Sequence, residues 1–339
     1  MRNLARRPFL PLVPALLAGA VLWGCARQAS SPQGEAEPTR VLTKVTLSTD
    51  WYPEAEQGGF YQALAKGYSK DAGLDVTILP GGPGSFPVQA LALGRVQFSL
   101  AASDEVIMDV SHNIPLVIVG AFLEHYPEAL LVHVDSPIKS FADLNGTTVI
   151  GVPGAGWIAN AQKRYGIKFS VVPMGFEIQR FLSDSTVVQQ CYITNEPYYV
   201  SLAGVKARTL LISDSGYDPY RVMIVTKPFL RDHPDLVGKF VAASLRGWKD
   251  FAEGDASPGI DAIVSANSKV TRDFVEKSVA VMREYRIIDG YPAHGEYLGK
   301  LTRDRLDGQI HMLADIHNID APYPVDALAT FAFSPASPP

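Results

Sequence analysis

Asp50, Trp51 and Tyr52 stand together at the end of a strand-like run, Val41 to Thr49. An indole and a phenol side by side there form a wall on which a flat heterocycle can stack, with Asp50 accepting a hydrogen bond. A tryptophan packing a helix against a sheet accounts for the same pattern. Glu196, with Thr194 and Asn195 before it and Tyr198 after it, lies where a strand passes into a helix. A carboxylate in that place pairs with an amino edge through charge-assisted hydrogen bonds. The competing role is an acid stabilised by the helix dipole. Two glycine-rich loops, Gly81-Gly82-Pro83-Gly84-Ser85 and Gly154-Ala155-Gly156-Trp157, each precede a helix. Free backbone N–H groups there hold an anion or a polar ligand edge, or the glycines simply make turns. Gly82, Ser85, Gly154 and Trp157 are the candidate contacts. Ser103 and Glu105 either point into a cleft or cap the helix that follows. Tyr217 and Tyr220, around Asp218-Pro219, either close over a ligand or pack a hinge.

Other chemistry is disfavoured. The first glycine loop lacks the Gly-Lys-Ser/Thr ending of a nucleotide-binding loop. The histidines at 112, 125, 133, 233, 294, 311 and 317 show no metal-ligand spacing. No nucleophile elbow or Cys–His pair stands out, and Cys191 reads as a small core residue. No metal, cofactor or catalytic residue is therefore expected, and an enzyme is not.

The elements that must position these residues follow a strand–helix rhythm. Arg2, Arg6 and Arg7 precede an apolar run from Phe9 to Trp23, the layout of an export signal over residues 1–24. Gly24-Cys25 resembles a lipidation site that makes Cys25 the mature first residue, and residues 26–40 read as a polar tether. Removing residues 1–24 takes away three arginines and no acid. That leaves 27 basic against 35 acidic residues, a net −8, which gives no electrostatic footprint for nucleic acid. With Cys191 the one remaining thiol, no intramolecular disulfide can form. A helix from Gly58 to Gly73 and a strand from Leu74 complete a first β-loop-α-β unit. Strands alternate with helices to Val225, and helices dominate from Lys227. Residues 334–339 are expected to be disordered.

Asp50-Trp51, Pro53, Gly59, Tyr61, Ala63-Leu64, Lys66-Gly67-Tyr68, Lys70 and Gly73-Leu74-Asp75-Val76 together resemble the opening of a family of bacterial solute-binding proteins. Its members bind thiamine-pyrimidine precursors, aliphatic sulfonates, nitrate or riboflavin, and its relatives include the fungal pyrimidine synthase of thiamine biosynthesis. Gln189-Gln190-Cys191-Tyr192 through Tyr198 is similar to a second family segment. The resemblance runs to about residue 290. It implies an α/β, two-lobe periplasmic binding protein of type II, with the ligand cleft between the lobes. One lobe would be residues 41–125 plus 220–333, the other 130–215. It further implies a monomeric lipoprotein, outside the cytoplasm, that captures a formylaminopyrimidine-like heterocycle and delivers it to the permease and ATPase of an ABC importer. Riboflavin or a sulfonate-like anion is the alternative ligand. The fungal synthase uses a lysine and a histidine near Lys66 and a cysteine-rich segment; this chain has no histidine on that helix face and no such segment.

Overall fold

The computed structural model describes residues 41–175 and 177–338, so the expected export signal, Cys25 and the tether lie outside the described residues. Among the described residues, ten strands form two five-stranded sheets. The first sheet holds β1 (Thr43–Ser48), β2 (Leu74–Leu79), β3 (Phe98–Ala102), β4 (Leu116–Leu123) and β10 (Arg221–Thr226), in the order β2-β1-β3-β10-β4. The second holds β5 (Glu128–His133), β6 (Thr148–Gly151), β7 (Ser170–Pro173), β8 (Val188–Tyr192) and β9 (Ala207–Leu211), in the order β7-β6-β8-β5-β9.

The two sheets share one pattern. In each, the antiparallel strand is the one that arrives directly from the other sheet: β10 in the first and β5 in the second. Their neighbours β1, β2 and β3, and β6, β7 and β8, pair in parallel. Strands β3 and β4 are buried at every position, as uninterrupted apolar runs covered on both faces must be.

The helix Pro234–Glu253 covers the first sheet with an apolar face that includes Phe240 and Trp248. Trp248 stacks on Phe122 at 5.6 Å and meets Phe60 edge-on at 5.7 Å. Phe60 belongs to the helix Gly58–Ala65, which lies unusually close to that long helix. A Cβ at Gly58 would overlap the Phe251 ring, one at Gly59 the Trp248 ring, and one at Gly247 the Gly59 carbonyl. This contact fixes where the loop after β1 begins its descent into the helix. The sequence predicts one helix running on to Gly73. Gly67 instead adopts a left-handed conformation (φ 76°), ends the first helix, and starts a second, Tyr68–Asp71.

The chain crosses between the sheets twice, at residues 124–127 and 216–220, and one carboxylate ties the crossings together. Asp218 accepts from the Tyr126 N–H (2.9 Å), contacts His125 Nδ1 (2.7 Å) and pairs with Arg305 (3.0 Å). Arg305 also donates to the Glu124 carbonyl at 2.6 Å and lies over the Tyr220 ring. Burial acts to lower the His125 pKa, but the Asp218 bond and the charges of Asp218 and Glu296 outweigh it, and the net shift is upward. The end of the chain is tied down further than its composition suggests. Leu301 N–H donates to Ser334 Oγ (3.1 Å) and Tyr297 to the Pro335 carbonyl (2.9 Å).

Gly59→Ala forces the two glycine-matched helices apart. Its expected cost is about 1–3 kcal/mol, as for other overpacked cores, read as a lower urea midpoint; an unchanged midpoint would contradict the close-packing account.

Candidate functional site

A cavity of about 200 Å³ lies between the two sheets. The carboxyl ends of the parallel strands supply most of its wall, the edge at which ligands bind in open α/β sheets. Asp50, Trp51, Glu54, Glu56 and Gln57 come from the loop after β1, and Glu105 from the start of the helix Ser103–Ser111 that follows β3. Val152 follows β6, Met174 follows β7, and Gln190, Cys191, Tyr192, Asn195 and Glu196 belong to β8 and the helix start beyond it. The two antiparallel strands contribute through their first residues, Glu128 of β5 and Arg221 of β10, with Tyr126 from the crossing.

Of the residues singled out from sequence, Asp50, Trp51, Glu105, Asn195 and Glu196 line this cavity. The others do not. Tyr52 is partly exposed, edge-on to Trp51, with its ring against Gly82. Ser85 accepts from the Gly82 N–H at 3.1 Å, so that loop is closed on itself as a turn. Gly154 is a turn glycine with φ 84°. Trp157 is buried in the core, and its indole N–H donates to Gln190 Oε1 at 3.3 Å, one residue behind the wall. Ser103 neither faces the cavity nor caps a helix: its hydroxyl donates to Gln309 (2.6 Å) and accepts from the Tyr220 N–H (3.0 Å). Tyr217 is buried against Gly156 and donates to Asp104. Tyr198 donates to Asp273 at 2.8 Å and packs edge-on to Phe274.

The lining is acidic. Asp50, Glu54, Glu56, Glu105, Glu128 and Glu196 face one guanidinium, Arg221, which contacts Asp50. Bonds at the cavity cross between the halves: Asn195 Nδ2 donates to Glu54 Oε2 (2.8 Å), and the Thr194 hydroxyl donates to Glu56. The Asn195 side chain does not cap the helix that follows it but turns to Glu54. Glu105 accepts from the Ala102 N–H (3.1 Å) and Glu196 from the Tyr192 N–H (2.8 Å). Loss of hydration is the largest effect on every shifted carboxyl. It raises Glu54 to about 8, with the Glu56 charge adding to it, and Glu128 to about 8. Glu105 and Glu196 rise to about 7 by the same cause. Tyr126 and Tyr192, 6.3 Å apart and steeply inclined, add apolar surface opposite the loop that carries Trp51.

The sequence candidates do not include Tyr126, Glu128 or Arg221. The available signal was their place at the two crossings, where a strand enters its new sheet. Glu54 and Glu56 were visible as an acidic loop directly after Asp50-Trp51-Tyr52-Pro53. Among the described residues no cluster of His, Cys, Asp and Glu has the arrangement of a metal site. Lys66 lies away from the cavity and pairs with Asp250 at 3.8 Å.

Two sheets joined by two crossings, with a cavity at their facing strand ends, define the two-lobe fold of the periplasmic binding proteins. The aliphatic sulphonate binding protein SsuA of Escherichia coli has a similar structure, at a TM-score of 0.65 over 84% of this chain and 91% of that one, with 13% identity. The chain belongs to the NMT1/THI5 like family, whose model matches residues 54–255. It is 27% identical over 252 residues to the riboflavin-binding protein RibY of Chloroflexus aurantiacus, covering 70% of each. It is 24% identical over 273 residues to the formylaminopyrimidine-binding protein of Halalkalibacterium halodurans, covering 76% of this chain and 82% of that one. A 4-amino-5-hydroxymethyl-2-methylpyrimidine phosphate synthase of Saccharomyces cerevisiae, THI11, is 24% identical over 278 residues, covering 73% and 82%.

The raised carboxyls set a pH dependence. Their ordinary value is 4.5, and the folded chain holds their protons up to about 7 or 8. Between these limits the native state binds more protons than the unfolded one, so stability falls as pH rises. Glu128→Gln removes one such group. It is expected to gain on the order of 2 kcal/mol relative to the parent between pH 5 and pH 8 in urea unfolding without ligand; parallel profiles for the two proteins would contradict this.

Proposed function

We propose that the chain is the extracytoplasmic solute-binding lipoprotein of an ABC importer and captures a small aminopyrimidine of the formylaminopyrimidine type. The observation that carries this reading is the cavity: one ring's worth of space, with Trp51, Tyr126 and Tyr192 beside a set of carboxylates. A void of about 150 Å³ accepts a benzene ring, so about 200 Å³ suits one substituted ring. Carboxylates such as Glu196 accept from exocyclic amino groups, and an analogue lacking those groups leaves them unpaired. The name of the Halalkalibacterium relative agrees with this chemistry. Cys25 would carry the lipid and residues 26–40 the tether, with the permease and ATPase as partners and a monomer as the working form. The lobes would comprise residues 41–125 with 220–333, and 130–215.

Riboflavin is the second reading, favoured by the similarity to RibY. A three-ring flavin with its ribityl chain needs more room than this cavity offers. A sulfonate would meet carboxylates on every side, with Arg221 already in contact with Asp50. Synthase chemistry has little support: Lys66 is on the surface side of its helix, ion-paired with Asp250, and Cys191 is buried in β8.

Thermal shift of the purified protein against formylaminopyrimidine, hydroxymethylpyrimidine, riboflavin and methanesulfonate tests the reading. A pyrimidine at 100 times its dissociation constant is expected to stabilise the fold by about 2.7 kcal/mol. Trp51→Ala is expected to weaken that binding about tenfold through the lost ring contact. A response to riboflavin alone would transfer the assignment to a flavin, and no response at all would sink capture of any of these solutes. Separately, Cys25→Ala is expected to move the protein from the membrane fraction to the soluble one; retention on the membrane would refute the lipid anchor.

A further inference from the structure

The cavity wall carries far more acidic groups than basic ones. Six carboxylates line it, and the one guanidinium among the lining residues is engaged with Asp50. Donors from the protein's own frame reach these carboxylates: Asn195 and Thr194 across the cleft, the Ala102 and Tyr192 N–H groups along it, the Trp51 side chain at Glu54, and Gln190 and Tyr126 at Glu128. One acceptor is left over. Oδ1 of Asp50 is buried and has no hydrogen-bond partner, while its sister oxygen meets Arg221. Behind Glu105 stands a seventh carboxylate, Asp104, held by the Tyr217 hydroxyl, with its own Oδ1 buried and unpartnered. Like charges packed this closely cannot all ionise in a site that excludes water. A bound positive charge removes that obstacle.

Resting on the aminopyrimidine reading above, we propose that the preferred ligand is a cation: an aminopyrimidine whose side arm ends in a protonated primary amine rather than a formamide. An ammonium group brings three N–H donors and a unit charge and no acceptor. A formamide brings one N–H, a carbonyl oxygen and no charge. The two arms hang from the same ring, so the aromatic walls do not discriminate between them. The carboxylates that line the cavity are Asp50, Glu54, Glu56, Glu105, Glu128 and Glu196. Tyr126, Tyr192 and Arg221 are the other ionisable groups on the wall besides Cys191. Burial keeps Glu54, Glu128, Glu105 and Glu196 partly protonated near neutral pH. Entry of a cation therefore expels protons from the site, whereas a neutral arm leaves them in place.

Calorimetric titration of the full chain at pH 7.5 separates the cases. The probes are 4-amino-5-aminomethyl-2-methylpyrimidine and its N-formyl derivative, each run in two buffers of different ionisation enthalpy. The free amine is expected to bind at least tenfold tighter and to release protons, with no release for the formyl compound. Glu54→Gln and Glu128→Gln are expected to shrink that ratio by weakening the free amine more than the formyl compound. Equal or tighter binding of the formyl compound to the parent protein would overturn the cation proposal and leave pyrimidine capture standing. Failure of both compounds to bind would overturn the function proposed above, and this inference with it.

Discussion

Arg221 is the residue on which the site's arrangement turns. A guanidinium taken out of water has to be paired and hydrogen-bonded to be tolerated, and Arg221 is buried at the first position of β10. Its backbone is fixed on both sides, opposite Ala102 of β3 and Leu123 of β4. Asp50, at the end of β1, meets it. That pair draws the loop from Asp50 to Gln57 over the cleft, where Glu54 and Glu56 reach Asn195 and Thr194 of the other half. A counter-charge planted at the return crossing thus decides where the first sheet's acidic loop lies, and through it how the two halves meet.

The strand–helix rhythm was legible because it is local. Apolar runs such as Leu116–Leu123 and amphipathic runs such as Pro234–Glu253 carry their burial in their own sequence. Residues at strand ends were legible for the same reason, which is why Asp50, Trp51, Glu105, Asn195 and Glu196 could be picked out. Tyr126, Glu128 and Arg221 were not, because their exposure to the cavity depends on β5 and β10 being laid antiparallel into sheets built from distant segments. Trp157 and Ser103 went the other way. Each sits where a ligand contact or a cap is locally reasonable, and each is claimed by a tertiary partner, Gln190 for one and Gln309 for the other. The break at Gly67 was written in the sequence as a glycine, but the apolar spacing across it, from Leu64 to Tyr68, hides the change of direction.

A shared frame leaves the ligand open. The sulphonate binding protein of Escherichia coli superposes over most of this chain at 13% identity, yet the cavity here is lined by six carboxylates. The chemistry of this cavity is carried by the loops after β1 and β8, by the helix start after β3, and by the first residues of β5 and β10. The close glycine contact between the helices Gly58–Ala65 and Pro234–Glu253 holds the first of those loops at a fixed height.

The two crossings have a consequence for how such a chain can be rearranged. Strands β4 and β10 are neighbours in the first sheet, with Leu123 opposite Arg221. The whole second sheet is thus spliced between the two arms of what would otherwise be a hairpin, and its entry and exit are stitched together at Tyr126 and Asp218. It is an insert with adjoining ends. Exchange of the segment between Leu123 and Arg221 for its counterpart in a relative would cut no other strand, so half of the cavity wall could be grafted as a cassette while the acidic loop and its helix stay in place.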